Sequence, residues 1–249
     1  MAIIPPGAFG GSGDEQAPAP SFGVLLVRVD GDVTHESVVE ALASARFTGW
    51  VSPEVPVEGD DPDDAPVPVW TVAVPETPLG HVAGERTTLH ELAASLAATL
   101  DGDAIAMVNR REQLLTLTAD RAGERWVDYV SDAHLARPDD EFAWGPEGAY
   151  GAGALARLCG RPEAEESVYE LLSEDEGDDV NESERIVALG RLLGWPHWLV
   201  SVGGLPKRVF RGPDVKDFLR LRAGATGIGG RVKGRLTKVK RRSDLTQGG

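Results

Sequence analysis

No lysine occurs before Lys207. The twelve cations ahead of it are all arginine, and they face 37 acids, a balance of −25. A body so charged repels nucleic acid and anionic membrane surfaces, so its own partner is expected to be a basic or neutral protein. Cysteine is almost as scarce. Cys159 stands alone, which excludes an intramolecular disulfide, and its place between Leu158 and Gly160 in an apolar helical pattern marks it as a buried, inert thiol. No stretch approaches the roughly 20 apolar residues of a membrane-crossing helix. The opening Met-Ala-Ile-Ile-Pro-Pro-Gly has neither a positive leader nor an apolar core of signal-peptide length, so the expected location is cytoplasmic.

Catalytic and ligand-binding templates are missing in turn. The five histidines, His35, His81, His90, His134 and His197, form no pair at ligand spacing, so no structural zinc site is expected. The acidic runs at Asp60–Asp64 and Glu174–Asp179 lack the glycine and glutamate positions of a calcium-binding loop and read as solvated loops. Neither Ser12 nor Ser201 lies in G-x-S-x-G, and no P-loop occurs. Gly224, Gly227 and Gly229 run in the reverse order of a dinucleotide fingerprint, after a basic stretch rather than a buried strand, and read as a linker. No catalytic residue, metal or cofactor is therefore assigned. For an enzyme with a site assembled from distant residues, the least implausible group is Asp128, Tyr129, Asp132 and His134, at a strand end and the loop after it.

What is present is charge of the other sign. From Lys207 to Arg242 the chain holds 13 cations and two acids, Asp214 and Asp217, a balance of +11. Within it Arg231, Lys233, Arg235, Lys238, Lys240, Arg241 and Arg242 alternate with small and polar residues, with no aromatic to stack on bases. They are candidate contacts to phosphate or another anion, and such binding to nucleic acid is sequence-independent and salt-sensitive. The competing expectation is intramolecular, since a basic segment tethered to an acidic body is at high effective concentration against it. Membrane-surface attraction ranks third, because bulky apolar anchors are lacking.

Hydrophobic residues at 41% and charged residues at 26% suit a folded protein with a true core. The Gly-, Pro- and Ala-rich residues 1–21 are expected to be a flexible leader. FGVLLVRV at 22–29 reads as a strand buried on both faces, followed by a helix capped by Thr34. A strand from Trp50 to Val55 is expected at a sheet edge because Pro53 and Pro56 cannot donate to a ladder. Another is expected from Val67 to Val74, with Trp70, Val72 and Val74 on one face. Thr88 and Glu91 form a capping box ahead of the stripe Leu89, Leu92, Leu96, Leu100. Three strands at 104–108, 114–119 and 125–130 read as a meander because their connections are short.

Beyond residue 132 the period becomes helical. Pro146 suits a first helical position, with Tyr150, Ala154, Leu155 and Leu158 as the apolar face. Further helices are expected at 162–172 and 183–193, the second with a capping box of Asn181 and Glu184, and an extended segment at 198–202. Trp195, His197 and Trp198 are candidate partner or pocket aromatics, with core packing as the favoured reading. No internal repeat of solenoid length occurs.

These readings predict an α+β fold. A mostly antiparallel sheet covered by two helices (22–132) is followed by a helical portion packed on it (133–206) and a basic, partly disordered segment (207–249). The expected function is a non-catalytic binding or adaptor protein with an acidic body and a basic tail. Sequence-independent nucleic-acid binding through the tail, or an enzyme with a site near the end of the 125–130 strand, are the alternatives.

Overall fold

The computed structural model describes residues 21–54, 69–77, 87–174 and 181–223. It is an α+β fold built on one seven-stranded antiparallel sheet. The strands are β1 (Phe22–Val29), β2 (Gly49–Val51), β3 (Val69–Pro75), β4 (Asp103–Arg110), β5 (Leu114–Arg121), β6 (Glu124–Val130) and β7 (Leu219–Leu221), in the order β6-β5-β4-β1-β3-β2-β7. Helix α1 (His35–Ser44) joins β1 to β2 and α2 (Leu89–Leu100) follows β3 and leads into β4. Each helix therefore spans two strands of the same direction with an antiparallel neighbour between them. That is the split β-α-β arrangement of ferredoxin-like topology, here extended by β5 and β6 on one side and β7 on the other.

Side-chain alternation divides the core into two layers. Leu25 and Val27 of β1 join Val38 and Leu42 of α1 and Leu89, Leu92 and Leu96 of α2 on one face. Phe22, Val24 and Leu26 face the other way, with Trp70, Val72, Ile105, Met107 and Leu117. That second face is covered by α4 (Ala152–Leu158), α5 (Glu165–Ser173) and α6 (Glu182–Leu193), which follow the one-turn α3 (Ala133–Ala136). Thr34 and Thr88 each accept from the N3 amide of their helix, closing capping boxes with Ser37 and Glu91. The two tryptophans after α6 pack within the second layer: Trp195 Nε1 donates to Cys159 Sγ at 3.3 Å, and Trp198 meets Phe218 edge to face at 5.8 Å.

A buried ion pair holds the helical layer. Glu182 and Arg185, one turn apart at the start of α6, have fully buried side chains and meet at 3.0 Å. Arg185 also donates to the carbonyls of Leu171 and Glu174, so one guanidinium closes the C-terminus of α5. Burial pushes the Glu182 carboxyl above its ordinary range, against the opposing pull of Ser131 and Arg185.

Several expectations are corrected. The second strand is not at an edge: β2 lies between β3 and β7, and it stops at Val51, before either proline could break a ladder. Tyr150 is 88% exposed rather than on a helix face, because a 3-10 turn at Ala149–Gly151 precedes α4 and rotates it outward. Pro146 precedes that turn and is not a first helical residue. Asn181 does cap α6 but accepts from Ser183, with no reciprocal bond from Glu184. Residues 199–204 form a 3-10 helix, not an extended segment. Residues 207–223 belong to the folded body, since Val209 and Phe218 are buried and β7 continues the sheet. The glycine cluster at 224–229 and the leader at 1–20 lie outside the described residues.

Among the described residues no helix is long and apolar enough to cross a membrane.

His90, in the first turn of α2, pins that helix to the sheet. Its two ring nitrogens lie 3.0 Å from the hydroxyls of Thr116 and Thr118 on β5. Burial, aided by the Arg125 charge and opposed by Asp128 nearby, pushes the imidazole from 6.5 down to about 4. An unfolded chain with an ordinary imidazole binds the proton first, so stability falls as pH drops from about 6.5 towards 4 and is unaffected above. Urea titrations of the protein and of His90→Gln across this window should show the advantage of the native histidine shrinking by at most about 3 kcal/mol. A pH-independent difference between the two proteins contradicts the assignment.

Candidate functional site

The segment from the end of β6 to the start of α4 inverts the usual rule of burial. Its small residues point inward and its large ones outward. Ala133 and Ala143 are buried, whereas Phe142 is 92% exposed, Trp144 74% and Tyr150 88%. Full burial of one such ring contributes about 1.5–3 kcal/mol, which this loop forgoes three times.

The loop is nonetheless firmly fastened. Ser131 is buried and its hydroxyl accepts from the Leu115 amide at 2.9 Å. Asp132 caps α3 by accepting from Leu135 at 2.8 Å. The Ala133 amide donates to Gly145 at 2.8 Å, and Val130 and Glu147 exchange both backbone hydrogen bonds, at 3.0 and 2.8 Å. That isolated bridge covers the end of β6, so the loop also blunts the sheet's outer edge. Trp144 is held by its own indole, which donates to the Glu141 carbonyl at 3.1 Å, and by a parallel stack on His134 at 5.2 Å. Arg137 reaches Glu147 at 2.5 Å, and this hydrogen bond holds the guanidinium above its ordinary pKa. Helix α5, which carries the half-exposed Tyr169, packs against the turn bearing Tyr150. The result is a fixed, aromatic, acid-flanked surface, with Asp132, Asp139, Asp140, Glu141 and Glu147 against the one cation Arg137.

The residues singled out by sequence are dispersed. Asp128 and Tyr129 alternate to opposite faces of β6, the first exposed and the second fully buried. Asp132 is occupied as a cap and His134 as a stacking partner, so the four do not converge on one point. Trp195 and Trp198 are each only 2% exposed and belong to the core, whereas His197 is exposed with Nε2 3.0 Å from the Arg211 carbonyl oxygen. Burial pushes the Cys159 thiol up to about 12. Arg231, Lys233, Arg235, Lys238, Lys240, Arg241 and Arg242 lie outside the described residues, as do the acidic runs at 60–64 and 175–179.

A cleft of about 410 Å³ opens where β1 ends and β4 begins, lined by Arg28, Asp30, Asp101, Asp103 and Arg121 among others. Its charges are largely spent on one another: Asp103 takes a forked bond from Arg121 at 2.6 and 2.8 Å, and Arg28 pairs with Asp30 at 3.0 Å. Among the described residues no group of three or more His, Cys, Asp or Glu is placed to hold a metal ion.

Of the exposed aromatics, sequence reading passed over Phe142 and Trp144 and placed Tyr150 on a helix face. Phe142 and Trp144 fall between a loop and a helix, with neither the two- nor the 3.6-residue period that marks an element. The available signal was that absence of period itself, in a Pro-, Gly- and acid-rich stretch containing three large rings. No protein-family model matches the chain, and no match is found among curated proteins or among solved structures.

Gly148 shows how tightly the loop is seated. Its φ is +86°, and a Cβ there would come within 1.9 Å of the Asp128 carbonyl oxygen. Gly148→Ala should lift the loop from β6 and cost about 2–4 kcal/mol locally. Amide exchange at Val130 and Glu147 should rise by at least about tenfold while the β4–β5 ladder stays protected. Unchanged protection at both amides is the result that contradicts this seating.

Proposed function

We propose that this chain is a non-catalytic binding or adaptor protein whose acidic body docks a protein partner through the loop bearing Phe142, Trp144 and Tyr150, with the basic tail adding electrostatic attachment. The observation that carries the reading is the exposure of three large aromatic side chains on a loop hydrogen-bonded rigidly in place. Exposed apolar surface of this kind marks interaction sites, and aromatic side chains supply most of the binding energy at protein interfaces. A preformed loop also avoids part of the ordering cost of association.

The acid flanking the rings favours a partner that is basic at its rim, which speeds encounter and sets orientation more than it adds affinity. A cytoplasmic setting suits the chain: its one cysteine is a buried thiol, and no disulfide within the chain is available to it.

The test is partner capture by the full chain and by the triple variant Phe142→Ala, Trp144→Ala, Tyr150→Ala. Phe142 and Tyr150 are almost fully exposed, so their truncation should cost within about 0.5 kcal/mol each, while Trp144→Ala also loses its bond to the Glu141 carbonyl and its stack on His134, about 1 kcal/mol more. Bound partner should fall by at least about tenfold. A variant removing 224–249 should change capture more at low salt than at high salt. That cut spares β7, Val209 and Phe218, which a cut at Lys207 would strip from the fold. Equal capture by the parent and the triple variant overturns the reading.

A further inference from the structure

We propose that the chain's own basic segment, Arg231 to Arg242, occupies the aromatic loop of residues 131–150 when no partner is bound, so that the tail guards the docking surface. This inference rests on the reading of that loop as a docking surface.

The two surfaces are chemically complementary. The segment places seven cations among Val232, Leu236 and Val239 and contains no acid. The loop offers rings for the guanidinium faces and aliphatic groups, and carboxylates for the charges. Its one cation is already engaged: Arg137 lies 2.5 Å from Glu147 and 3.7 Å from Asp140. Asp128, with 71% of its side chain exposed at the edge of β6, adds a further carboxylate beside the loop.

The folded part of the same basic end already uses this contact. Arg220 lies over the Trp50 ring at 5.2 Å while its Nη2 reaches Glu76 at 2.6 Å. One guanidinium thus sits on a ring and pairs with a carboxylate. Trp144 and its acidic neighbours present the same two groups, with the ring largely exposed.

The chain is long enough. The described residues end at Ala223, whose amide donates to Thr48 Oγ1 at the β2–β7 side of the sheet. The aromatic loop adjoins β6 at the opposite edge, six inter-strand spacings away, roughly 29 Å at about 4.8 Å each. Arg231 is eight residues beyond Ala223 and Arg242 nineteen, giving extended reaches of about 26 and 63 Å. The later half of the segment therefore spans the distance with slack for a path around the sheet. Tethering raises its effective concentration towards the millimolar range, so contacts that are weak one by one can hold it there. Exposed ion pairs and cation-π contacts are screened or readily exchanged, so a partner with better apolar anchors displaces the tail.

Tryptophan fluorescence reads the contact directly. Trp50, Trp70, Trp195 and Trp198 are buried and Trp126 partly so, leaving Trp144 as the indole most open to acrylamide. Quenching is measured on the full chain, at about 20 mM and about 500 mM salt, a range over which the screening length falls several-fold. It is repeated on a variant in which Arg231, Lys233, Arg235, Lys238, Lys240, Arg241 and Arg242 are all replaced by Gln. At low salt the parent should be quenched at least about twofold less steeply than the variant, and high salt should remove the difference. Trp144→Phe should abolish the part of the signal that depends on salt and tail. Equal quenching of parent and variant at low salt overturns the proposal. So does a difference that survives Trp144→Phe, which puts the tail elsewhere on the body, or one that grows with protein concentration, which assigns the occupant to a second copy. Any of these outcomes leaves the docking reading standing if the triple aromatic variant still loses its partner. Loss of that reading instead appears as unchanged capture.

Discussion

Strand β1 is apolar on both faces, and that imposes the rest of the architecture. A strand with Val24 and Leu26 on one side and Leu25 and Val27 on the other cannot face water on either, so the sheet needs a cover on both sides. The two crossover helices supply one cover because each must return over the same face to reach its next strand. They leave the opposite face bare, and α4 to α6 close it. The aromatic loop is the connection that carries the chain from the last strand of the meander to that second cover. Its position at the β6 edge follows from the topology.

Arginine, never lysine, is the cation of the acidic body up to Lys207, and the structure shows why that suits it. Arg121 forks onto Asp103, Arg125 reaches Asp120 at 2.7 Å, and Arg185 satisfies a carboxylate and two helix-terminal carbonyls from a buried position. A planar group with five fixed donors can do this, whereas an ammonium, a strongly hydrated point charge, pays more to leave water and bonds with less direction. The buried pair of Glu182 and Arg185 is held as a unit, since removing either partner would strand a charge in the core. Lysine appears only in the basic end, from Lys207 onward.

The local elements were legible in the sequence wherever period and cap agreed. Thr88, Glu91 and the leucine stripe specify α2 by local chemistry alone, and the apolar run at 22–29 announces a strand buried on both sides. The order of the strands was not legible, because β1 pairs with β3 and β4 through contacts distant in sequence that no local pattern encodes. Pro53 and Pro56 pointed to an edge, but β2 had already ended at Val51 and β7 paired with it from the far end of the chain. Tyr150 counted as core by spacing, yet a single 3-10 turn was enough to rotate it into solvent. The candidate site was the least legible part, since an exposed ring and a buried ring are the same letter and only the tertiary fold separates them.

Exposed rings and strong charge have a common logic here. A surface with three large aromatic groups in water risks association with copies of itself, and a net charge far from zero opposes that association. The body's acid therefore protects the loop from other bodies while attracting anything basic. A partner with cations at its rim is drawn by the same field that keeps identical bodies apart. The segment best placed to answer that field first is the one covalently attached to it, since its encounter needs no diffusion from bulk and its charge is of opposite sign. On the reading proposed above, the charge split along the chain and the inverted burial of one loop belong together: the charge opposes self-association of the exposed rings, and the tail and a partner compete for them.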